Sequence, residues 1–566
     1  MSWKLKKKYT ALLEQETGYI KKNWGTNYRV CLAYPHYYRT GMANLGFQTV
    51  YKIFNEQPSF LCERVFLPDS GDDAEFVAGQ QEDFVSIENQ KPVTEFDILA
   101  FSLSFENDYP NILKMLEMAG VPLIAQERSE NHPLVIGGGI AATLNPEPIA
   151  EFFDLFLLGE AEESLPEFAQ IFEDARRLKL ERKEMLIKIQ KLLPQAYVPS
   201  LYNIKYSPDS TIEAAEPALP GIPEKIKIKP IKNIDFFCTE EVVSSPGAEM
   251  DDMYLTEVNR GCARSCRFCA ASFIYHPVRF RSCEKIIEMI DRGLAKKKKV
   301  GLVGTAVSDH PELTKICEYI LAKGGQARIG SLRIDQINER LAGLLKAGGI
   351  ETVALAPEAG TQRLRDLLRK GINEEDILYA AELLIKNEIS NLRLYFMIGL
   401  PSETQKDIDA IIELTKKIQH HVLKFTSGKK IFRSITLSIN QFIPKPSTPL
   451  QWCALEDVNS AGKKIKKIVS AVGPDRQIKV IHDVPKWNYV QALLSLGDRK
   501  VSKILLAVHR RRGNWAQALK EVNINADFYV YRWKKFDEIL PWDIIDSGRA
   551  KKILVSECKK ALADKI

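Results

Sequence analysis

The chain has few cysteines, no long uninterrupted apolar run and no strong excess of one charge. Ten cysteines among 566 residues are too sparse for a disulfide scaffold. No stretch reaches the roughly 18 consecutive apolar residues that a membrane span requires. With 79 basic and 73 acidic residues the net charge is +6, whereas dedicated nucleic-acid binders concentrate much more basic charge. These absences exclude a disulfide-rich and a membrane-spanning protein and favour a globular protein of several domains.

The N-terminus carries basic residues but no apolar segment after them, so we expect no secretory signal and a cytoplasmic location. Cysteines stay reduced there, and a close cysteine cluster is then metal-binding or catalytic rather than disulfide-bonded. The basic clusters at 296–299, 463–467 and 510–512 are interpreted as solvated helix faces rather than nucleic-acid sites.

Strands and helices alternate along residues 1–200. Apolar runs typical of buried strands include residues 96–104 and 153–158, and helical spacing follows them. Such alternation predicts an α/β doubly wound parallel sheet with crossover helices. Ligands of this fold bind beyond the carboxyl ends of the strands, where the glycine-containing turns at 137–139 and 159–163 lie.

Three further regions follow this predicted sheet. Prolines interrupt residues 201–250, which predicts a linker with one edge strand. Residues 251–450 contain six βα units, which favour a partial or full (β/α) TIM-type barrel. We expect residues 451–566 to form a small, mixed α/β and rather basic C-terminal domain.

Three cysteines form a cluster after the first strand of the predicted barrel. Cys262, Cys266 and Cys269 have the spacing C-x3-C-x2-C. Three thiolates on a short loop can each bind one iron of a cubane cluster and leave the fourth iron open to a small molecule. A closed zinc site would need a fourth ligand, for which His276 is the candidate. Phe268 precedes the third cysteine, either as a core residue or as a shield for a cluster or ligand.

This loop, with its aromatic residue and its position after the first strand, resembles the signature of the radical S-adenosylmethionine (SAM) superfamily. The resemblance implies a [4Fe-4S] cluster held by Cys262, Cys266 and Cys269, with SAM bound to the open iron. It implies that the reduced cluster cleaves SAM to a 5′-deoxyadenosyl radical, which abstracts a hydrogen atom from the substrate. It also implies an external one-electron reductant such as flavodoxin or ferredoxin. Segments 399–401 and 444–449 match the GLP and PKPxTP segments of a subgroup related to methylthiotransferases.

Further motifs of the superfamily predict residues that contact SAM. Gly304 and Thr305 follow the second strand, where the family's backbone approaches the SAM amino group, although the usual Gly-Gly-Glu is missing. Ser331 and Arg333 belong to a segment similar to the subgroup's SLR stretch, which faces the carboxylate or ribose of SAM. Glu358 resembles the acid of the PE-x-G turn and could accept hydrogen bonds from SAM hydroxyls. An acid favoured by a helix N-terminus is its alternative interpretation.

The first domain resembles the cobalamin-binding domain that often precedes a radical SAM core. The resemblance implies that Ser102 and the turn of Gly137, Gly138 and Gly139 contact cobalamin. The D-x-H-x-x-G motif that ligates cobalt is missing, and His36 does not fit it. Cobalamin would therefore bind without a lower histidine ligand, or the domain has become a scaffold or substrate-docking module.

The seven remaining cysteines are scattered singly, so a second cluster of the methylthiotransferase kind is not expected. The leading hypothesis is a radical SAM enzyme that uses cobalamin to methylate an unactivated carbon. The second is a radical rearrangement, oxidation or cyclisation in which the first domain binds the substrate. The third is a zinc-structural module that binds RNA or protein. The substrate could be a protein, an RNA or a small molecule.

Overall fold

A computed structural model describes residues 3–68, 84–330, 332–426 and 431–563 of the chain. The N-terminal unit is a six-stranded sheet covered by helices. Its strands are β1 (Tyr28–Tyr37), β2 (Phe60–Leu67), β3 (Ile98–Ser102), β4 (Leu134–Gly138), β5 (Leu155–Leu157) and β6 (Ala196–Tyr197). Its helices are α1 (Trp3–Gln15), α2 (Tyr38–Met42), α3 (Leu45–Glu56), α4 (Tyr109–Met118), α5 (Ile140–Leu144), α6 (Ala161–Arg177) and α7 (Arg182–Leu192).

The strand order of this sheet is β2-β1-β3-β4-β5-β6. Every neighbouring pair is parallel except β5 with β6. Parallel strands covered on both faces are near-continuous apolar runs, and β2 and β5 are buried at every residue. The predicted doubly wound sheet is thereby confirmed. Its strand order reverses between β1 and β3, which is the point where such sheets bind ligands.

Residues 201–250 contain more strand than the expected single edge strand. A hairpin of β7 (Tyr202–Tyr206) and β8 (Ile212–Pro217) is followed by β9 (Ile226–Lys227). The alternating burial along β7 shows that one face of the hairpin packs on the protein while the other faces water.

The next region forms a split barrel of two four-stranded sheets. Its strands are β10 (Met253–Arg260), β11 (Arg279–Phe280), β12 (Lys299–Gly304), β13 (Gln326–Ile329), β14 (Thr352–Glu358), β15 (Asn391–Ile398), β16 (Ser434–Gln441) and β17 (Ile478–His482). Its helices are α8 (Ala271–Ile274), α9 (Cys283–Leu294), α10 (Leu313–Ala322), α11 (Glu339–Ala347), α12 (Gln362–Leu367), α13 (Glu374–Lys386), α14 (Gln405–Thr426) and α15 (Val458–Val472).

One sheet has the order β11-β10-β12-β13 and the other β14-β15-β16-β17. All pairs are parallel except β10 with β11. Both sheets contribute to one apolar core, so together they form the predicted partial barrel. All six predicted strands are present, and β17 adds a seventh parallel strand from beyond the predicted core region.

The C-terminal region after β17, here called the tail, contacts both units and does not form a separate domain. Its remaining elements are α16 (Pro485–Leu496), α17 (Val501–Arg510), α18 (Trp515–Glu521), α19 (Asp527–Val530), β18 (Ile545–Asp546) and α20 (Lys551–Ala561). Residues of α16 and α17 join the core of the N-terminal sheet, and β18 pairs with β9. In the described part of the chain, no helix is both long and apolar enough to cross a membrane.

Candidate active site

The three-cysteine loop begins where β10 ends and runs into α8. Cys262 is two residues beyond the end of β10, and Cys269 is two residues before the start of α8. The Cys269 backbone N–H donates to the Cys266 carbonyl at 3.0 Å, and the Ser272 N–H to the Cys269 carbonyl at 3.3 Å. These bonds hold the second half of the loop in a compact turn at the carboxyl end of β10. The carboxyl ends of parallel strands are where barrel enzymes place their active sites.

The loop thiols are shielded and electrostatically coupled. Cys266 is buried, whereas Cys262 and Cys269 are partly exposed. Burial raises the pKa of Cys266 to about 11, the positive charge of Lys370 opposes this rise, and the neighbouring thiols add to it. Burial also raises the pKa of Cys269, opposed by hydrogen bonds from the backbone of Ala271 and Ser272. Metal binding requires the thiolate form, which Lys370 and these backbone N–H groups favour.

The chemistry of the donor set fits an iron–sulfur cluster, because such clusters are held by cysteine thiolates and three lie on this loop. The described residues contain no group of three or more His, Cys, Asp or Glu side chains placed around a single-ion site. The closed zinc site that would use His276 is therefore not formed in this structure. In a four-iron cluster each thiolate binds a different iron, so the thiols need not converge on one point.

Asn259 joins the start of the loop to the end of the neighbouring strand. It is buried, and its Nδ2 donates to the Gly261 carbonyl at 3.0 Å while its Oδ1 accepts from the Ala306 N–H at 3.3 Å. A Cβ atom added to Gly304 would lie 2.1 Å from Asn259 Oδ1. The glycine predicted from the SAM motif is thus required by this close approach, whatever ligand lies beside it.

An ion network fixes the loop to the segments that follow β12 and β13. Arg264 donates to Asp309 at 3.0 and 3.1 Å and lies 3.2 Å from Asp335. Arg333, predicted to face SAM, donates to Asp335 at 3.0 Å. Burial alone would raise the pKa of Asp335, but hydrogen bonds and charge from Arg333 and the charge of Arg264 outweigh it and lower this pKa. Ser331, the other predicted residue of this segment, lies outside the described residues.

Glu358 ends β14 in a left-handed backbone conformation, with φ of 66°. Its Oε1 accepts a hydrogen bond from Lys370 Nζ at 2.8 Å, and both side chains are 13% exposed. The predicted SAM-facing carboxylate therefore has a lysine partner that also acts on Cys266. Phe268 packs against the apolar cluster formed around α12 and residues 442–453, which agrees with its core interpretation and does not test the shielding one.

A cavity of about 560 Å³ lies between the N-terminal sheet and the barrel. It brings together six residues predicted for two different cofactors: Ser102, Gly137, Gly138, Gly139, Gly304 and Thr305. The cysteines, Phe268, Arg333 and Glu358 are not among its lining residues, although Ala271 and Tyr275, which follow the loop, are. Gly139, with φ of 110°, could not carry a side chain because its Cβ would lie 2.5 Å from the Leu103 carbonyl oxygen.

A buried ion network crosses this cavity wall from one unit to the other. Arg279 donates to both oxygens of Glu160, at 2.6 and 2.8 Å. Arg260 contacts Glu162 of the N-terminal unit and donates to Glu257 of its own strand at 2.8 Å. Burial would lower the pKa of Arg260, but Glu257 and Glu162 raise it. Arg260 is therefore charged, and the hydrogen bonds of the two arginines to Glu160 and Glu162 keep the two units together.

A second contact joins the units on another side. Lys445, in the proline-rich segment predicted as PKPxTP, donates to Glu106 at 2.5 Å, and Gln491 Nε2 donates to the same carboxylate at 3.2 Å. Glu106 follows β3 and is buried. Burial would raise its pKa, but Lys445 lowers it. The barrel and the tail thus both bind the carboxyl edge of the N-terminal sheet.

Sequence reasoning singled out neither Asn259, three residues before the first cysteine, nor Arg264, two residues after it. Their closeness to the cysteines was an available signal. Lys370 lies in no recognised motif, and folding alone brings it to Glu358 and Cys266. Arg279 was missed for the same reason, since its partner Glu160 is 119 positions away.

Comparisons with known proteins agree with this architecture. A family model described as "Radical SAM proteins, N-terminal" matches residues 46–199, and one described as "Radical SAM superfamily" matches residues 256–415. The chain is 31% identical over 423 residues to an uncharacterized protein of Methanocaldococcus jannaschii, covering 74% of this chain and 82% of that protein. It is 24% identical to an uncharacterized methyltransferase of Pyrococcus horikoshii, covering 62% and 72%.

Among solved structures, the radical SAM methyltransferase TsrM of Kitasatospora setae, with tryptophan and a SAM analogue bound, has a TM-score of 0.45 and 13% identity. The match covers 73% of both chains. The two family matches and the Methanocaldococcus relative show that the chain belongs to the radical SAM superfamily. It is a radical SAM enzyme, and this membership implies a [4Fe-4S] cluster and SAM.

Proposed function

We propose that this enzyme uses cobalamin to methylate an unactivated carbon, with its [4Fe-4S] cluster held by Cys262, Cys266 and Cys269. One observation supports the proposal above others. The cavity between the two units is lined by the turn predicted for cobalamin and by the strand end predicted for SAM. Methyl transfer through cobalamin needs the two cofactors to meet, and a shared cavity provides a place for this.

The cavity has the properties of a cofactor site. Its volume of about 560 Å³ is within the range of roughly 300–1,000 Å³ typical of ligand sites. It lies at the carboxyl edge of the sheet beside the β1/β3 reversal, where doubly wound folds bind their ligands. Its lining is mostly apolar, with neutral polar groups such as Ser102 and Thr305 and the charged side chains of Glu160, Glu162, Glu257 and Arg260.

None of the described residues that line the cavity is His, Cys, Met or Lys. The lining therefore offers no histidine to replace the one that the missing D-x-H-x-x-G motif would supply. When bound, the cluster supplies an electron for cleavage of SAM, and cobalamin supplies a carrier for the methyl group. The residues of the chain hold the cluster loop, close the cavity between two units and exclude water from it.

The cluster assignment is tested by reconstituting the protein anaerobically and measuring iron, sulfide and SAM cleavage. We expect four irons and four sulfides per chain, and 5′-deoxyadenosine on reduction. Cys266→Ala should lose iron and cleavage because it removes one of three thiolates. Cys317→Ala, a buried cysteine outside the loop, is the matched control and should keep both. Full iron and cleavage in Cys266→Ala would disprove the assignment.

The cobalamin assignment is tested by incubation with hydroxocobalamin, desalting and a visible spectrum. We expect bound corrin in the wild-type protein and its loss in Ser102→Phe, which places an aromatic ring in the cavity. Ser470→Phe, on the exposed face of α15, controls for the substitution itself, and iron content and circular dichroism check the fold of both. Wild-type protein that cleaves SAM but binds no corrin would contradict the proposal and assign the cavity to a substrate instead.

A further inference from the structure

The last described segment of the chain carries an unusual share of its positive charge. Residues 549–563 contain five basic residues and one acidic residue, a net charge of +4 against +6 for the whole chain. The basic residues are Arg549, Lys551, Lys552, Lys559 and Lys560. Four of them belong to α20, so this short helix concentrates a charge that the rest of the protein largely balances.

Helix α20 lies directly against the cysteine loop. Arg267, between the second and third cysteines, donates to Glu557 through both Nε and a terminal nitrogen at 3.2 Å. Arg369 and Lys560 contact the same carboxylate, at 3.5 and 2.9 Å. Arg549 approaches the residues just after the loop, with its guanidinium 5.1 Å from the ring of Phe273. One acidic residue thus contacts three cations, and Lys551 pairs with Asp543 at 2.7 Å. Basic residues still outnumber acidic ones five to one within 549–563.

The outer face of α20 is open to solvent. Its inner side buries Leu554 and Cys558, whereas Lys552, Lys559 and Lys560 are exposed. Positions 552, 556 and 559 share one helix face because of their spacing. Ile553, beside them, is 46% exposed. An exposed apolar residue within a ring of charges is typical of the centre of a protein interface.

The surface of α20 is separate from the cavity. No residue of 549–563 lines the cavity between the two units, while Glu557 contacts the loop itself. A partner on the outer face of α20 would be separated from the loop by about one helix diameter, roughly 10 Å. It could therefore reach the cluster without entering the space proposed for the cofactors and substrate.

We propose that the outer face of α20 is the docking surface for a small acidic one-electron carrier protein that reduces the cluster. The inference rests on the proposed cluster at Cys262, Cys266 and Cys269. One electron leaves the reduced carrier and enters the oxidised cluster, and no proton or further reactant is needed. Opposite charges steer such encounters and raise association rates at low salt. The exposed lysines supply the positive side of this pairing, and Ile553 its apolar contact.

The test compares a charge-reversed surface with a matched control, using flavodoxin as the probe. K552E/K559E/K560E reverses three exposed lysines of α20. K463E/K466E/K503E reverses three exposed lysines on α15 and α17 and changes the net charge equally. Flavodoxin affinity is measured by fluorescence anisotropy, and cluster reduction by reduced flavodoxin or by dithionite is followed by absorbance and electron paramagnetic resonance.

At low ionic strength we expect reversal on α20 to weaken flavodoxin binding and slow flavodoxin-driven reduction at least tenfold. In the control variant both the affinity and the reduction rate should stay within twofold of the wild-type values. Dithionite should reduce the clusters of all three proteins at the same rate. Added salt should reduce the difference in flavodoxin affinity, because it screens charges over about 10 Å at 0.1 M. Neutral replacement, K552Q/K559Q/K560Q, should give an intermediate loss.

Unchanged flavodoxin affinity after reversal on α20, or an equal loss in the control, would overturn the proposal. Loss of binding to a labelled single-stranded RNA with unchanged flavodoxin affinity would overturn it too, and would assign the surface to RNA. If the protein holds no iron, the cluster assignment is wrong. The docking proposal is still decided in that case, because flavodoxin affinity can be measured without a cluster.

Discussion

The pair of Arg279 and Glu160 is expected to stabilise the closed arrangement of the two units around the cavity. Arg279 is 7% and Glu160 5% exposed in their side chains. Two charge-assisted hydrogen bonds join them, and bidentate arginine–carboxylate pairs are among the strongest such contacts. Arg279→Met keeps much of the side-chain volume and removes the charge.

The structure sets the size of the effect. Removing one partner of a buried ion pair costs about 3–5 kcal/mol because the other charge stays buried. Glu160 would keep the Ile231 N–H at 3.0 Å and Arg260 at 3.4 Å. Because these two contacts partly compensate the buried charge of Glu160, we expect the cost of Arg279→Met to lie near the lower end of this range. The free energy of unfolding should fall by about 3 kcal/mol. In a double-mutant cycle with Glu160→Gln we expect a coupling of about 2 kcal/mol.

The cycle is measured by urea unfolding, followed by tryptophan fluorescence and circular dichroism, using the transition that both report together. The pair of Lys205 and Glu216 in the exposed hairpin, 2.8 Å apart, is the matched control. It should show little coupling because surface ion pairs contribute little. Additive effects of Arg279→Met and Glu160→Gln, within about 0.5 kcal/mol, would refute the reasoning that this pair links the units.

Two further predictions concern the barrel and the tail. Gly304→Ala should destabilise the protein by about 1–3 kcal/mol and weaken SAM binding, because its Cβ would lie 2.1 Å from Asn259 Oδ1. Urea unfolding measures the stability and equilibrium dialysis the SAM affinity. Wild-type values for both would contradict the prediction. Burial lowers the pKa of Lys534 to about 8 from 10.5, so the folded state disfavours its charged form and stability should rise between about pH 8 and 10.5. Lys534→Met should remove that rise and stabilise the protein near pH 7 by up to about 3 kcal/mol, as urea unfolding across this pH range would show; an unchanged pH profile would contradict the assignment.

Much of the local structure follows from short-range pattern. The strands at 28–37 and 98–102 are apolar runs bounded by polar residues, and their burial follows from that pattern. The spacing of Cys262, Cys266 and Cys269 marked the loop because three thiols so close together are rarely accidental in a cysteine-poor chain. Strand β17 was missed because only the first of its five residues is buried and Lys479, Ile481 and His482 are exposed, a pattern of an edge strand rather than a core strand.

The longer-range features could not be derived from pattern. The seven scattered cysteines indicated no further functional site. The number of cysteines also does not predict which residues pack around the loop that holds the other three. Lys370 meets Glu358 across 12 positions and Arg267 meets Glu557 across 290. Such pairs depend on how helices and strands pack, since no local preference connects them.

The sequence by itself determined the class of this protein, because the features that define the class are short-range patterns. They are the three spaced thiols, the glycine turns at strand ends and the alternation of strands and helices. The tertiary structure alone decided that residues predicted for two cofactors share one cavity, that buried arginines and glutamates close it, and that a basic helix from the tail covers the cysteine loop. These are properties of packing, in which residues hundreds of positions apart are brought within hydrogen-bond distance.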